Sequence, residues 1–152
     1  MPRRALPVLA LALVALPAAL LAGCGDASLS ASQLRAQAGA ICARTAAATD
    51  RIALPITPDR GDAFLRDGLA QLRPAAAKLG KLKPPAELHR RYDRAVQLAG
   101  QEIALIARHE RAIARGEDAV GTFRALQAAL DPLTSEENAY WRGLGIPACV
   151  RS

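Results

Sequence analysis

The sequence beyond residue 30 predicts an all-α fold, an antiparallel up-and-down four-helix bundle over residues 31–152. Three observations predict it. Apolar residues recur at helical spacing in four segments. Brief connections rich in proline and glycine separate those segments, which makes successive helices neighbours. No stretch alternates apolar and polar residues as a half-buried strand would.

In the first segment Leu34, Ala38, Ile41, Thr45, Ala48 and Ile52 lie on one stripe, with Ser30 or Ser32 placed to cap its start. Pro55 and Pro58 punctuate the next connection, and Thr57-Pro58 sets a capping hydroxyl before a proline suited to the first helical turn. The second helix carries Leu65, Leu69, Leu72, Ala76 and Leu79. Pro74 falls in its middle, where a missing N–H and a ring clash predict a kink or a break. Lys83-Pro84-Pro85 ends it.

The third helix is predicted from about Pro85 to Arg115, free of internal proline and followed by Gly116, a residue suited to a C-cap. Leu88, Tyr92, Ala95, Ala99, Ile103, Ile106 and Ile113 keep to one side at ~100° per residue, and Leu98 and Leu105 widen that stripe enough for two neighbours. Glu102 and Glu110 fall on its margins. A carboxylate there either reaches water or pairs with arginine, or, if buried, gains a raised pKa and acid–base capacity; the first reading is preferred, as it is for Glu137 on the fourth helix.

The fourth helix starts at Glu117 and Asp118, acidic residues at the positive end of the helix dipole. It presents Phe123, Leu126, Leu130, Leu133, Tyr140, Trp141 and Leu144. Asp131-Pro132 interrupts it, and Thr134 with Glu137 matches a capping box, so it reads equally as one kinked helix or two short ones. Trp141 falls in register with Phe123 and reads as core, although with Tyr140 it could also line a pocket.

Ahead of the bundle, Arg3 and Arg4 precede an apolar run from Ala5 to Leu21, the layout of a secretory signal. The rival is an uncleaved membrane anchor, which needs ~17–25 apolar residues; Pro7 and Pro17 argue against it. Arg3-Arg4 also admits twin-arginine export, but beyond the pair only Leu6 follows that pattern, so the general secretory route fits better. The run closes on Leu21-Ala22-Gly23-Cys24, which resembles a bacterial lipobox. That resemblance implies cleavage before Cys24, a thioether-linked diacylglycerol on its sulfur and a mature chain tethered to a membrane. The expected organisation is therefore a signal peptide over 1–23, a lipidated N-terminus and short linker over 24–30, and one helical domain over 31–152. Removing the leader leaves about 130 residues, the size of a single domain.

With Cys24 assigned to lipid, Cys42 and Cys149 remain as an even pair in an oxidising compartment, and a disulfide between these positions, 107 apart, is predicted. The geometry allows it. Cys42 stands about ten residues, roughly 15 Å, into the first helix, and the five residues after Leu144 extend about 16 Å. Gly145-Ile146-Pro147-Ala148-Cys149 can thus fold back along that helix. Free or metal-binding thiols are the alternative, but no Cys-x-x-Cys pair or ligand cluster supports zinc.

Composition excludes several functions. The formal charge of +6 falls to +4 once Arg3 and Arg4 leave with the signal, a mild excess. Only five aromatic residues occur, so a base-stacking platform has almost no material, and nucleic acid is not an expected partner. His89 and His109 stand twenty residues apart, roughly 30 Å along one helix, and cannot share a metal; both read as solvated. Glu-x-x-His and Cys-x-x-Cys-His patterns are absent. No cofactor, metal or catalytic set is expected. Arg90, Arg94, Arg108, Arg111 and Arg115, with Lys78, Lys81 and Lys83 upstream, could meet an anionic surface, yet Glu87 and Asp93 among them make an ordinary solvated face the better reading.

Ile41-Cys42 in an alanine-rich helix, the segment Leu-Lys-Pro-Pro-Ala-Glu-Leu at 82–88, the arginine-rich turn around Tyr92 and the closing Leu144-Gly145-Ile146 to Cys149 together resemble small helical lipoproteins and secreted proteins of high-GC Gram-positive bacteria. The resemblance spans most of 30–149. It implies the bundle and the disulfide and no activity. The expected function is a lipid-anchored, extracytoplasmic, non-enzymatic module on the bacterial cell membrane, with an envelope protein or a small-molecule ligand as candidate partner. The alternative is an accessory subunit or enzyme of a cell-envelope process.

Overall fold

A computed structural model describes residues 28–151, and the expected leader and Cys24 lie outside them. Four helices form an all-α bundle: α1, Ala31–Thr49; α2, Gly61–Leu79; α3, His89–Ala114; and α4, Ala119–Leu144. Short 3₁₀ turns at Pro58–Arg60 and Pro147–Cys149 precede α2 and follow α4. Each helix packs against its sequential neighbour, and the last turn packs on α1.

Local chemistry sets the ends. Ser30 closes a capping box, its hydroxyl accepting from the Gln33 amide at 3.2 Å while Gln33 accepts from the Ser30 amide at 2.9 Å. Asp118 caps α4 through the amides of Val120 and Gly121 at 3.2 and 2.9 Å. Gly116 adopts φ 88° after α3, and its amide donates to the Ile113 carbonyl at 2.8 Å. Thr57 makes no side-chain capping bond, contrary to expectation; Pro58 opens a 3₁₀ turn there instead.

One open alternative is decided and two further expectations are corrected. Of kink or break, neither Pro74 nor Pro132 divides its helix, because both sit on exposed faces where water can satisfy the carbonyl each proline deprives of a partner. α3 begins at His89, not near Pro85, since Pro85–Leu88 closes a tighter turn through a bond from the Leu88 amide to the Pro85 carbonyl at 2.9 Å. Thr134 and Glu137 do not form a capping box, because α4 is continuous through them and both side chains face inward partners.

The core divides in two. One cluster joins Leu34, Ala38 and Ile41 of α1 to Leu79, Tyr92, Ala95, Trp141 and Leu144, sealed by Ile146 and Cys149. The other, around Leu65, Ile113, Ala119 and Leu126, contains no α1 residue. Phe123 belongs to the second cluster and Trp141 to the first, so their shared register does not bring them together. The reason is length: α1 has 19 residues and α3 and α4 have 26 each, a difference of about 10 Å at 1.5 Å per residue. At the far end of the bundle only three helices pack.

The tail returns along α1 as its sequence predicts. Gly145 ends α4 in the left-handed conformation, φ 71°, and the Arg35 Nε donates to the Leu144 carbonyl at 2.9 Å. Cys42 and Cys149 are joined by a disulfide with Cα atoms 5.0 Å apart. Gly39 lies beneath the returning tail, its nearest neighbours there being Ala148 and Ile146.

Candidate functional site

Between the two apolar clusters, α3 and α4 each place one glutamate at the centre of the bundle. Glu102 is 2% exposed and Glu137 is 3% exposed. Glu102 stands seven residues beyond Ala95 and four beyond Leu98, so it belongs to the buried stripe itself. The expectation that these carboxylates sit on a margin and reach water is therefore corrected. Pairing with arginine does occur, and it is what makes their burial tolerable.

The arginine is Arg151, which the sequence reading did not single out. Its Nη2 donates to Glu102 Oε2 and to Glu137 Oε2. Asn138 pins its backbone, accepting from the Arg151 amide at 2.9 Å and donating to its carbonyl at 2.7 Å. Thr134 Oγ1 donates to Glu102 Oε1 at 2.9 Å, and Trp141 Nε1 donates to Glu137 Oε1 at 2.6 Å. Every carboxylate oxygen of the pair thus has a donor. No buried side-chain nitrogen or oxygen among the described residues lacks a partner.

Two negative charges meet one positive charge here. Burial pushes the Glu137 carboxyl up to about 7, against the opposing pull of Arg151 and the Trp141 N–H, and the neighbouring Glu102 adds to the rise. Beside the cluster, Tyr92 donates to the Leu79 carbonyl at 2.9 Å and meets Trp141 edge-on, ring centroids 5.8 Å apart. Burial raises the Tyr92 phenol above its usual range.

The cluster forms one wall of a cleft of about 450 Å³ between the second half of α1, the second half of α2, the middle of α3 and the tail. Leu72, Ala75, Ala76, Ala99 and Ile103 supply its apolar sides; Thr45, Thr49, Asp50, Glu137 and Arg151 supply its polar ones. Clefts of ~300–1,000 Å³ with apolar walls and a few placed polar groups are the usual form of small-ligand sites.

Other sequence candidates are not drawn into this site. His89 is exposed beside Asp93, at 3.2 Å. His109 is buried, contrary to expectation, because it faces inward on α3, where its Nδ1 lies 2.9 Å from the Leu105 carbonyl of its own helix. Glu110 pairs with Arg66 at 3.3 Å. On the basic face, Arg94 binds Glu136 at 2.8 Å and Arg115 binds Glu117 at 2.9 Å, as in a solvated, charge-balanced surface. Among the described residues no group of histidines, cysteines and acids is placed to hold a metal, and no helix is long and apolar enough to cross a membrane. No protein-family model, curated protein or solved structure matches the chain significantly.

Proposed function

We propose that this chain is a lipid-anchored, extracytoplasmic module of the bacterial cell envelope that binds a small ligand without transforming it. The observation that carries the binding part is the cleft beside Glu137, with apolar walls on α2 and α3 and polar groups supplied by α1, α4 and the tail. Its place is supported by the lipobox-like Leu21-Ala22-Gly23-Cys24 and by a disulfide of the kind that persists in oxidising compartments. The first described residues add to this, since the Leu29 amide donates to the Lys83 carbonyl at 2.8 Å, leaving only a short spacer between Cys24 and the bundle.

A second reading, an enzyme or accessory subunit of an envelope process, has one observation in its favour. A carboxyl titrating near 7 in a cleft wall has the acidity that general acid–base catalysis requires. A reacting nucleophile or further donor set would also be needed, and the hydroxyls in the cleft, those of Thr45 and Thr49, donate to carbonyls of their own helix, while Arg151 is committed to the two glutamates.

The test has two arms. Membrane fractionation of wild type and Cys24→Ala is expected to move the variant from the membrane to the soluble fraction; equal partitioning overturns the anchor. Native mass spectrometry of protein purified from its own membrane is expected to show a bound small molecule that survives incubation unchanged. Turnover of that molecule favours the enzyme.

A further inference from the structure

We propose, resting on the cleft as a ligand site, that its ligand is a small amphiphilic cation, an apolar body bearing a protonated amine or similar donor-rich head set against Glu137.

Three observations converge on that class. The first is the charge of the cleft. Asp50 at the C-cap of α1, Glu137 from α4 and Arg151 from the tail are its charged lining residues, and α2 and α3 line it with apolar side chains alone. Glu102 of α3 stands behind Arg151 and shares its guanidinium with Glu137. Three carboxylates therefore meet one guanidinium, so a cation improves the balance and an anion worsens it.

The second is the direction of the hydrogen bonds. Thr45 Oγ1 donates to the Ile41 carbonyl at 2.9 Å, and Thr49 Oγ1 donates to the carbonyls of Thr45 and Ala46 at 3.1 and 2.9 Å. The Trp141 N–H is given to Glu137. What these groups still offer is lone pairs, as do Asp50 and Glu137. Arg151 is the one donor among the charged lining residues, and its Nη2 is already given to Glu102 and Glu137. A head rich in N–H donors therefore meets several acceptors, whereas a carboxylate or phosphate meets only the rest of one guanidinium and faces Asp50 and Glu137.

The third is the shape of the apolar part. Leu72, Ala75, Ala76, Ala99 and Ile103 make a wall of mostly small side chains beside the polar end, so one ligand can place its body there and its head at Glu137.

Binding a cation favours the ionised form of Glu137. Affinity is therefore coupled to release of a proton and rises with pH through the range in which Glu137 titrates.

The chain has one tryptophan, so ¹⁵N-labelled protein in lipid nanodiscs gives a single indole N–H signal at the cleft wall. Titration with benzylammonium, benzyl alcohol and benzoate separates charge from shape. Benzylammonium is expected to shift the Trp141 indole with a Kd at least tenfold below the other two, and to bind at least fivefold tighter at pH 8 than at pH 6. Glu137→Gln is expected to lose that preference while keeping the indole signal, since an amide oxygen still accepts from Trp141. Leu72→Phe, which fills the apolar wall, is expected to abolish the shift without touching the charged cluster.

Equal or tighter binding of benzoate or benzyl alcohol overturns the cation and leaves the ligand site standing. No shift with any probe at millimolar concentration also overturns the cation. In that case the binding reading survives only if a molecule carried from the native membrane moves the indole signal when it is removed.

Discussion

Trp141 Nε1 donates to Glu137 Oε1 at 2.6 Å, one helical turn apart on α4, so the chain's one tryptophan reports directly on a buried carboxylate. The spacing makes the pair local. Its burial is not local, because α3, α1 and the tail must all be in place to exclude water.

Glu137 makes stability depend on pH, with a definite sign. Its carboxyl titrates at about 7 when folded and near its ordinary 4.5 when unfolded. Between these values the folded chain holds a proton the unfolded chain has lost. Stability from this group is full below about pH 4.5 and is lost as pH rises through 7. The loss is on the order of 3 kcal/mol. Urea midpoints measured from pH 5 to 8 should fall more steeply for wild type than for Glu137→Gln, and Trp141 emission should show a midpoint near 7 that the variant lacks.

Arg151→Met removes the only cation from the buried pair. Because Arg151 is 41% exposed, its loss is expected to cost about 1–3 kcal/mol at pH 8, less than for a fully enclosed partner. At pH 5.5 the pair can take up a proton and the cost should shrink. Denaturant titrations at both pH values check this, and equal costs would show that Arg151 acts through packing alone.

Cys149→Ser opens a link across 107 positions and is expected to cost about 2–5 kcal/mol. The same loss should follow from reduction of the wild type. Tail loosening should accompany it, seen as faster amide exchange at Asn138 and Arg151, whose paired hydrogen bonds depend on the returning chain.

Gly145→Ala is expected to cost about 1–2 kcal/mol. The left-handed backbone at φ 71° disfavours any Cβ, and one placed there would stand 3.0 Å from Arg35 Nε. Thermal unfolding should show the loss, while Gly68→Ala, an open site inside α2, should be neutral or stabilising.

Tyr92→Phe removes a buried 2.9 Å bond to the Leu79 carbonyl, which keeps the Leu82 amide as a donor at 3.0 Å. A cost of about 0.5–1.5 kcal/mol is expected, since the carbonyl is not orphaned and packing against Trp141 is kept. Chemical denaturation of the two proteins measures it.

Much of the fold was legible because its signals are local. Helical periodicity, the Ser30 and Asp118 caps, and Gly116 and Gly145 act within one or two turns, and each appears where the sequence places it. The tail's return along α1 was legible too, since chain length and rise per residue bound what Cys149 can reach. The sequence leaves open whether Pro74 and Pro132 divide their helices, because that depends on which face of the helix meets water, and packing settles it.

The central cluster was only partly legible. Glu137 and Trp141 stand at i and i+4, and Glu102 continues the line of Ala95 and Leu98, so both carboxylates could have been placed inside from register alone. Arg151 carries no such signal, being 49 positions from Glu102 and 14 from Glu137. The nearest hint is that it follows a disulfide cysteine by two residues.

By itself, then, the sequence determined four helices, their order and the cysteine pair, because backbone geometry and apolar spacing are properties of neighbouring residues. Only the tertiary structure decided that two glutamates become one buried site and that a cleft opens beside them. Desolvation and charge pairing depend on what the rest of the chain brings within a few ångströms, and no local pattern records that.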